Sequence, residues 1–339
     1  MPRFLLCAVA LLAVAGGPGP AAAAPPPRDT LAAAAADTLP LRLVAVQSIG
    51  PSDSAASPLV EPAGVAADAF GRLHVTDAAR NGLVRFDARG AWLGEAGALG
   101  SDVGGLRRPA GVTAMGSLGV AVLDGENRRV VLYDLFGRLT GVLADLAALE
   151  DELGRVEPVA LAADRGGALH IAEADGDRVL VLDFSGAYVR TLGGFGAGGG
   201  SFRGLAALAC GPRGELVTVE RTGARVQRLD AGGAAIALWP LPAPPGRGGL
   251  AVAVDDSSRV AVADESSGRL WLFDRAGRLL GERAGLAAPR SLAFAPDGSL
   301  LVAEAAAGRV RRFVAERAGE PAPGEDPPAP GALPPGPRR

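Results

Sequence analysis

The most regular polar feature of the sequence is an acidic residue followed five positions later by an arginine. Carboxylate and guanidinium groups at this spacing can form charge-assisted hydrogen bonds across a short hairpin turn. A further acid, Asp77, is followed instead by Gly82. Because the spacing recurs along the chain, we predict that these pairs order turns and take no part in catalysis. The predicted structural pairs are Asp124–Arg129, Glu173–Arg178, Glu220–Arg225, Asp264–Arg269 and Glu304–Arg309.

The sequence contains two histidines, His74 and His170, and each lies three residues before a recurring acid. The equivalent positions in the other repeats are Ala, Val or Leu, which predicts that both rings pack in the core. The alternative is a divalent metal such as Zn or Ca, held by His74 or His170 with acids such as Asp124 or Glu173. A zinc site usually takes more protein ligands than two histidines supply. We therefore predict no cofactor and keep the metal site as the alternative.

Four arginines stand at or just before the first strand of a repeat, at Arg108, Arg203, Arg247 and Arg290. If the repeats surround a common axis, these residues lie on one face around a central channel. Their guanidinium groups suit a carboxylate, sulfate or phosphate. We therefore predict that this face binds a protein, or an anionic glycan or peptide. The simpler alternative is a solvated rim whose ion pairs contribute little.

The remaining motifs carry no chemistry that can be assigned. Cys210 lies in an apolar segment and would be unpaired after loss of Cys7, so we predict a buried, unreactive thiol. The pattern Gly194-x-Gly196-x-x-Gly199 matches a dinucleotide-binding motif, but no helix pattern follows it. No catalytic residue can be named from the sequence.

All these residues stand at fixed places in a repeat of 40 to 49 residues that occurs six times. Each repeat contains short apolar segments separated by turns rich in glycine, asparagine and aspartate, such as Asn81-Gly82. Four antiparallel strands per unit, in units stacked side by side, are typical of a propeller blade. The sequence therefore predicts an all-β fold, a six-bladed β-propeller of four-stranded antiparallel blades.

The two ends of the repeat region complement each other. The sixth repeat has no fourth segment after Val314, whereas residues 46–50 match the fourth segment of the third repeat at residues 189–193. We predict that the N-terminal strand Leu41–Ile49 pairs with the last blade and closes the ring, which removes an exposed edge. Leucines at 146, 149 and 153 predict one departure from the repeat, a short amphipathic helix within residues 144–155.

Three segments resemble the NHL repeat. Residues 62–68 read Pro-Ala-Gly-Val-Ala-Ala-Asp, residues 124–130 read Asp-Gly-Glu-Asn-Arg-Arg-Val, and the loop 193–202 is rich in glycine. The resemblance extends over residues 41–314 and implies a six-bladed propeller, in a family whose functions are diverse. Lyases of similar fold bind zinc or magnesium through histidine, which implies an enzymatic alternative for this chain.

Composition divides the chain outside the repeats into three segments. Residues 1–24 combine one arginine, an apolar run and an alanine-rich end, which predicts a secretory signal peptide cleaved within 20–25. Residues 25–40 are predicted to be a flexible leader, residues 41–317 the propeller, and residues 318–339 a Pro-rich disordered tail. We therefore predict a secreted or periplasmic protein with no membrane span after signal cleavage.

Overall composition narrows the function. A net charge of −3 gives no basic surface for nucleic acid, and an aromatic content of 4% argues against a carbohydrate-processing cleft. The predicted function is an exported, non-catalytic binding or scaffold propeller that presents a loop face to a protein or glycan ligand. The alternative is a metal-assisted lyase or hydrolase with its site at the central channel mouth. The sequence leaves open the ligand, any catalysis, the oligomeric state and the role of the tail.

Overall fold

The computed structural model describes residues 40–50 and 58–318. These residues form six four-stranded antiparallel sheets. The sheets form the blades of a propeller, which confirms the predicted all-β, six-bladed fold. The predicted signal peptide (1–24) lies outside the described residues. So do residues 25–39 of the predicted leader and residues 319–339 of the predicted tail.

The strands are numbered along the chain, beginning with β1, Leu41–Ile49. The first blade contains β2 (Pro62–Ala67), β3 (Leu73–Asp77), β4 (Gly82–Phe86) and β5 (Trp92–Ala96), and a short parallel pair follows, β6 (Ala98–Leu99) and β7 (Gly105–Leu106). The second blade contains β8 (Pro109–Ala114), β9 (Val120–Asp124), β10 (Arg129–Tyr133) and β11 (Leu139–Asp145). The third contains β12 (Pro158–Ala163), β13 (Leu169–Glu173), β14 (Arg178–Leu182) and β15 (Tyr188–Gly193).

The fourth blade contains β16 (Leu205–Cys210), β17 (Leu216–Glu220), β18 (Arg225–Leu229) and β19 (Ala235–Pro240). The fifth contains β20 (Leu250–Val254), β21 (Val260–Asp264), β22 (Arg269–Phe273) and β23 (Leu279–Arg283). The sixth contains β24 (Pro289–Phe294), β25 (Leu300–Glu304) and β26 (Arg309–Arg317), with β1 as its outer strand. Short helical segments lie at Gly116–Leu118, Ala147–Leu149 and Ala305–Ala307, all 3-10, and at α1 (Glu150–Leu153).

Burial is greatest in the second strand of each blade and least in the outer strand. Every residue of β3 and β9 is buried, whereas β5 is largely exposed. Successive side chains of a strand point to opposite faces, and both faces of an inner strand meet a neighbouring blade. Strand β9 is therefore apolar on both faces, reading Val-Ala-Val-Leu before Asp124.

In five blades, an aspartate after the third strand builds the turn to the fourth. In the first blade, the Oδ1 atom of Asp87 accepts hydrogen bonds from the backbone N–H of Arg89 at 2.9 Å and of Ala91 at 2.7 Å. Gly90 has a φ of 85°, a conformation that strains other residues. Aspartates 134, 183, 230 and 274 accept the same pair of bonds in the next four blades.

The N-terminal strand closes the ring as predicted. Strand β1 pairs antiparallel with β26, with Leu41 opposite Arg317 and Ile49 opposite Val310. The register shifts once, between Ala45 and Gln47. Leu43 and Ile49 are buried and join the cores on the two sides of the sixth blade. The last blade is therefore built from both ends of the described chain.

The core consists of clusters between neighbouring blades. Between the fourth and fifth blades, Trp239, Trp271 and Phe273 pack together, with the ring centroids of Trp239 and Phe273 6.0 Å apart. Between the sixth and first blades, Ile49 packs with side chains such as Val75 and Leu301. Since each cluster is shared by two blades, each blade depends on its neighbours for burial.

The predicted helix at 144–155 is shorter than expected. Its first residues, Ala144 and Asp145, belong to β11 and pair with Val130 and Arg129. A 3-10 turn at Ala147–Leu149 then leads into the single turn of α1. Within the described part of the chain, no helix has the length and apolar character needed to cross a membrane.

Candidate functional site

Four of the predicted acid–arginine contacts are present, and they tie loops to hairpins. The Arg Nε atom lies 2.6 to 2.8 Å from a carboxylate oxygen in the pairs Asp124–Arg129, Glu173–Arg178, Glu220–Arg225 and Glu304–Arg309. The carboxylates are fully buried. Each one also accepts a backbone N–H from the loop before its blade, as when Arg203 N donates to Glu220 at 2.8 Å. The acid therefore fixes the loop onto the hairpin.

The fifth predicted pair is absent, which corrects that prediction. Arg269 donates from Nη1 to Glu282 on the adjacent strand β23, at 2.5 Å. The buried Asp264 accepts the backbone N–H of Ser266 at 3.0 Å and of Gly246 at 3.3 Å. Glu282 competes for the guanidinium, and backbone donors satisfy Asp264 instead.

Both histidines are buried beside an aspartate, away from the recurring acids. His74 Nε2 lies 3.2 Å from Asp68 Oδ2, and His170 Nε2 lies 3.6 Å from Asp164 Oδ2. Burial lowers the pKa of both rings below 6.5 and outweighs the opposing effect of the aspartates. Neutral core histidines fit this geometry.

The two histidines stand in different blades, the first and the third. Within residues 40–50 and 58–318, no three His, Cys, Asp or Glu side chains are grouped so that they could hold a metal ion. The geometry does not favour the metal-site alternative. Cys210 is half-buried and free, and burial raises the pKa of its thiol.

The first strands of the six blades line a central channel, and at one end the channel opens into a wider space. We call this end the hairpin face, because the turns between the second and third strands lie there with the loops before the first strands. The opening is a cavity of about 400 Å³, the mouth cavity. Its wall includes small or aliphatic side chains, namely Ala63, Ala78, Ala110, Val159, Ala174, Ala206 and Leu250. Deeper in the channel, larger side chains line a narrower space, namely Val65, Val112, Leu161, Leu208, Val252 and Leu292.

One sector of the mouth cavity is charged. Arg290, the second residue of β24, takes the place of Ala63 and Ala110 in other blades. Its Nε donates to Glu265 at 2.8 Å, and its Nη1 donates to Glu61.

These contacts favour the charged forms of Arg290 and Glu265. Burial would lower the pKa of Arg290, but its bonds to the two carboxylates raise it overall. For Glu265, burial is outweighed by donors from Gly249 and Arg290, so its pKa falls. Arg108 extends the cluster, with its Nη2 3.5 Å from Glu61.

The structure places the four predicted binding arginines in two groups. Arg108 and Arg290 line the mouth cavity, whereas Arg203 and Arg247 are exposed outside it. Arg221 lines the cavity and was missed by the sequence argument. It directly follows the recurring acid, where four other blades have Ala or Gly and the fifth has Glu265. This departure from the repeat is the feature of the sequence that could have identified Arg221.

Three arginines of the hairpin face have no side-chain hydrogen bond or ion pair with any residue in the described ranges: Arg203, Arg221 and Arg247. Arg203 and Arg221 are close along the backbone, because Arg221 N donates to Gly204 O at 2.7 Å. Arg247 lies before the first strand of the next blade. The fourth and fifth blades therefore carry a group of unpaired cations at the rim.

Comparison with known proteins shows similarity of fold alone. No protein-family model matches the chain, and no curated protein matches its sequence. A streptogramin B lyase structure aligns with a TM-score of 0.55 and 13% identity, over 82% of this chain and 98% of that chain. Virginiamycin B lyase from Staphylococcus aureus aligns with a TM-score of 0.55 and 15% identity, over 82% and 95%. Kuenenia stuttgartiensis hydrazine synthase aligns with a TM-score of 0.53 and 13% identity, over 79% and 99%.

Proposed function

We propose that the chain is an exported, non-catalytic propeller of the NHL type whose hairpin face binds an acidic protein or an anionic glycan or peptide. The observation that carries this proposal is the group of unpaired cations Arg203, Arg221 and Arg247 on neighbouring loops of the fourth and fifth blades. None of the three guanidinium groups has a side-chain hydrogen bond or ion pair in the described chain, so each is free to meet a ligand. A ligand with negative groups would form charge-assisted hydrogen bonds with them.

The loops that carry these arginines are well supported. Glu220 accepts the backbone N–H of Arg203 at 2.8 Å, and the same carboxylate binds Arg225 at 2.7 Å. Asp264 accepts the backbone N–H of Gly246, next to Arg247. Fixed loops lower the entropy lost on binding, so a rim of this kind suits recognition.

Export and the cell compartment belong to this proposal and rest on the sequence of residues 1–24 alone. The metal-assisted lyase or hydrolase remains the less supported alternative. His74 and His170 are buried and would have to leave their partners Asp68 and Asp164 to reach the channel mouth. Fold similarity to lyases cannot supply such a site, because one fold hosts many functions.

Charge reversal on the rim tests the proposal. We expect Arg203→Glu/Arg247→Glu to weaken binding to anionic glycan and acidic peptide arrays at least about tenfold, with binding that weakens as salt rises. The matched control is Arg138→Glu/Arg213→Glu, two exposed arginines at the turns of the opposite face. Equal binding by the rim variant and the wild type, or no binding by the wild type to either array, would overturn the proposal.

A further inference from the structure

We propose that the mouth cavity binds a free carboxylate attached to a small apolar group, with Arg221 as its cationic partner. This proposal rests on the proposed function and narrows it to one ligand chemistry. The carboxylate can come from the C-terminal residue of a peptide or from a free short-chain acid. Arg203 and Arg247 do not line the cavity, so its ligand is distinguishable from one held by those two arginines alone.

The size of the cavity fits a small ligand or one end of a chain. Its volume of about 400 Å³ falls within the usual range of ligand sites. Alanines at 63, 110 and 206 leave the wall open, because each ends at Cβ. Ala206 and Arg290 occupy equivalent positions in the fourth and sixth blades. The cavity wall is therefore open and apolar at Ala206 and charged at Arg290.

The charge of the cavity suits a single negative group. Three arginines stand against two glutamates, and the neighbouring Arg107–Glu126 ion pair is neutral, which leaves one net positive charge. The five residues are Arg108, Arg221, Arg290, Glu61 and Glu265. A doubly charged phosphate would meet repulsion from the fixed Glu265 carboxylate. A carboxylate matches the remaining charge.

Arg221 is the free member of this set. Glu61 and Glu265 both bind Arg290, and Arg108 lies 3.5 Å from Glu61. Arg221 has no such partner in the described chain, although it is close enough to lower the pKa of Glu265. Its planar guanidinium can hold a carboxylate through two parallel hydrogen bonds.

The remaining wall residues favour an apolar group next to the carboxylate of the ligand. Val159, Ala174 and Leu250 offer no polar side-chain atom that could replace water around a hydroxyl or an amide. An apolar group of a few carbons would fill this side and displace water. A peptide ending in alanine or valine and a short branched acid both have the required form.

Titration with defined probes tests the site. The probes are acetyl-Ala-Ala-Val with a free C-terminus, the same peptide as its C-terminal amide, and isovalerate. Arg221→Gln should raise the Kd of the acid probe at least about tenfold, because the guanidinium bond is lost. Arg213→Gln is the matched control, since Arg213 is also an exposed arginine of the fourth blade but lies at a turn of the opposite face, away from the mouth cavity and from Arg203 and Arg247.

A second variant changes shape and keeps charge. Ala206→Leu should reduce binding of the acid probe by a similar factor, because the added methyl groups fill the apolar side of the cavity.

Stronger binding of the peptide acid than of isovalerate would identify a peptide C-terminus, and the reverse would identify a free acid. Equal binding of the acid and amide peptides, or an unchanged Kd in Arg221→Gln, would overturn the proposal. Loss of array binding in the Arg203/Arg247 variant with intact probe binding would separate the rim from the cavity.

Discussion

At the scale of single residues, the recurring buried acid joins two parts of the chain. Glu220 binds Arg225 and Gln227 of its own blade, at 2.7 and 2.6 Å, and the backbone of Arg203 in the preceding loop. Arg225 also donates to the carbonyls of Ala197 and Ser201, at 2.7 and 2.9 Å. The pair therefore fixes the glycine-rich loop between the third and fourth blades.

We expect Arg225→Ala to lower the free energy of unfolding by about 3 kcal/mol, because it leaves the buried Glu220 carboxylate without its cation. The control is Arg269→Ala, which removes the same residue from the blade where the arginine does not bind its recurring acid. That change should cost less, about 1 kcal/mol, since the side chains of Arg269 and Glu282 are 37% and 14% exposed whereas the Glu220 carboxylate is fully buried. Urea unfolding measures both, and equal losses would contradict this role of the acid.

His74 should make stability depend on pH near neutrality. Its pKa in the folded protein is held below the ordinary value of 6.5 by burial. As the pH falls through about 6.5, the unfolded chain takes up a proton that the folded ring resists, so stability is complete above this pH and decreases below it. Thermal melts of His74→Gln between about pH 5.5 and 7 should show a smaller decrease than the wild type.

The neighbouring Asp68 acts in a different pH window, which keeps the two effects separable. Burial alone would raise its pKa, but bonds from His74 and Arg72 lower it overall, below 3.8. The stability it contributes is present above its ordinary pKa and is lost only in more acidic solution. An unchanged slope near neutrality in His74→Gln would contradict the assignment to the histidine.

At the scale of elements, the sequence predicts the strands correctly but does not predict which arginines line the mouth cavity. Blades were predictable because each signal is local, such as the Asp87 turn with Gly90. The leucine spacing at 146, 149 and 153 fits a helix, yet Asp145 pairs in β11, because sheet pairing overrides a local period. Arg221 was missed because the direction of a rim side chain depends on how six blades close around an axis, which no local pattern records.

The closing strand offers an element-scale prediction. Deletion of residues 41–50 leaves β26 unpaired and removes the buried Leu43 and Ile49. We expect a loss of at least about 4 kcal/mol of stability, from the apolar burial of two large side chains. In the control, Val46→Ser should change little, since Val46 lies at the register shift and is 49% exposed. Calorimetric melting of the two variants decides, and an unaltered melt of the deletion would refute the closure role.

At the scale of the whole molecule, the ring holds its charges unevenly. At the hairpin face, Arg203, Arg221 and Arg247 of the fourth and fifth blades lack side-chain partners in the described chain. Arg290 of the sixth blade and Arg108 of the second blade both contact Glu61, and Arg290 also binds Glu265. Repetition of the blade gives the protein its stability. Departures from the repeat at Arg221, Glu265 and Arg290 make the distribution of charge around the channel mouth uneven. A search for sites in such chains should therefore compare equivalent positions and look for the residue that differs.

The pairing of β1 with β26 also determines when, during synthesis of the chain, the blades can complete their packing. Leu41 emerges early during synthesis and Arg317 late, yet they lie opposite each other in one sheet. The first blade has no neighbour on one side until the final strand is made, so Val75 and its cluster wait for Leu301 and Val310. Contacts between such distant parts of a chain slow folding. The nascent protein is thus an open arc until its last strand arrives, and the intact ring appears only once the whole propeller has been synthesised.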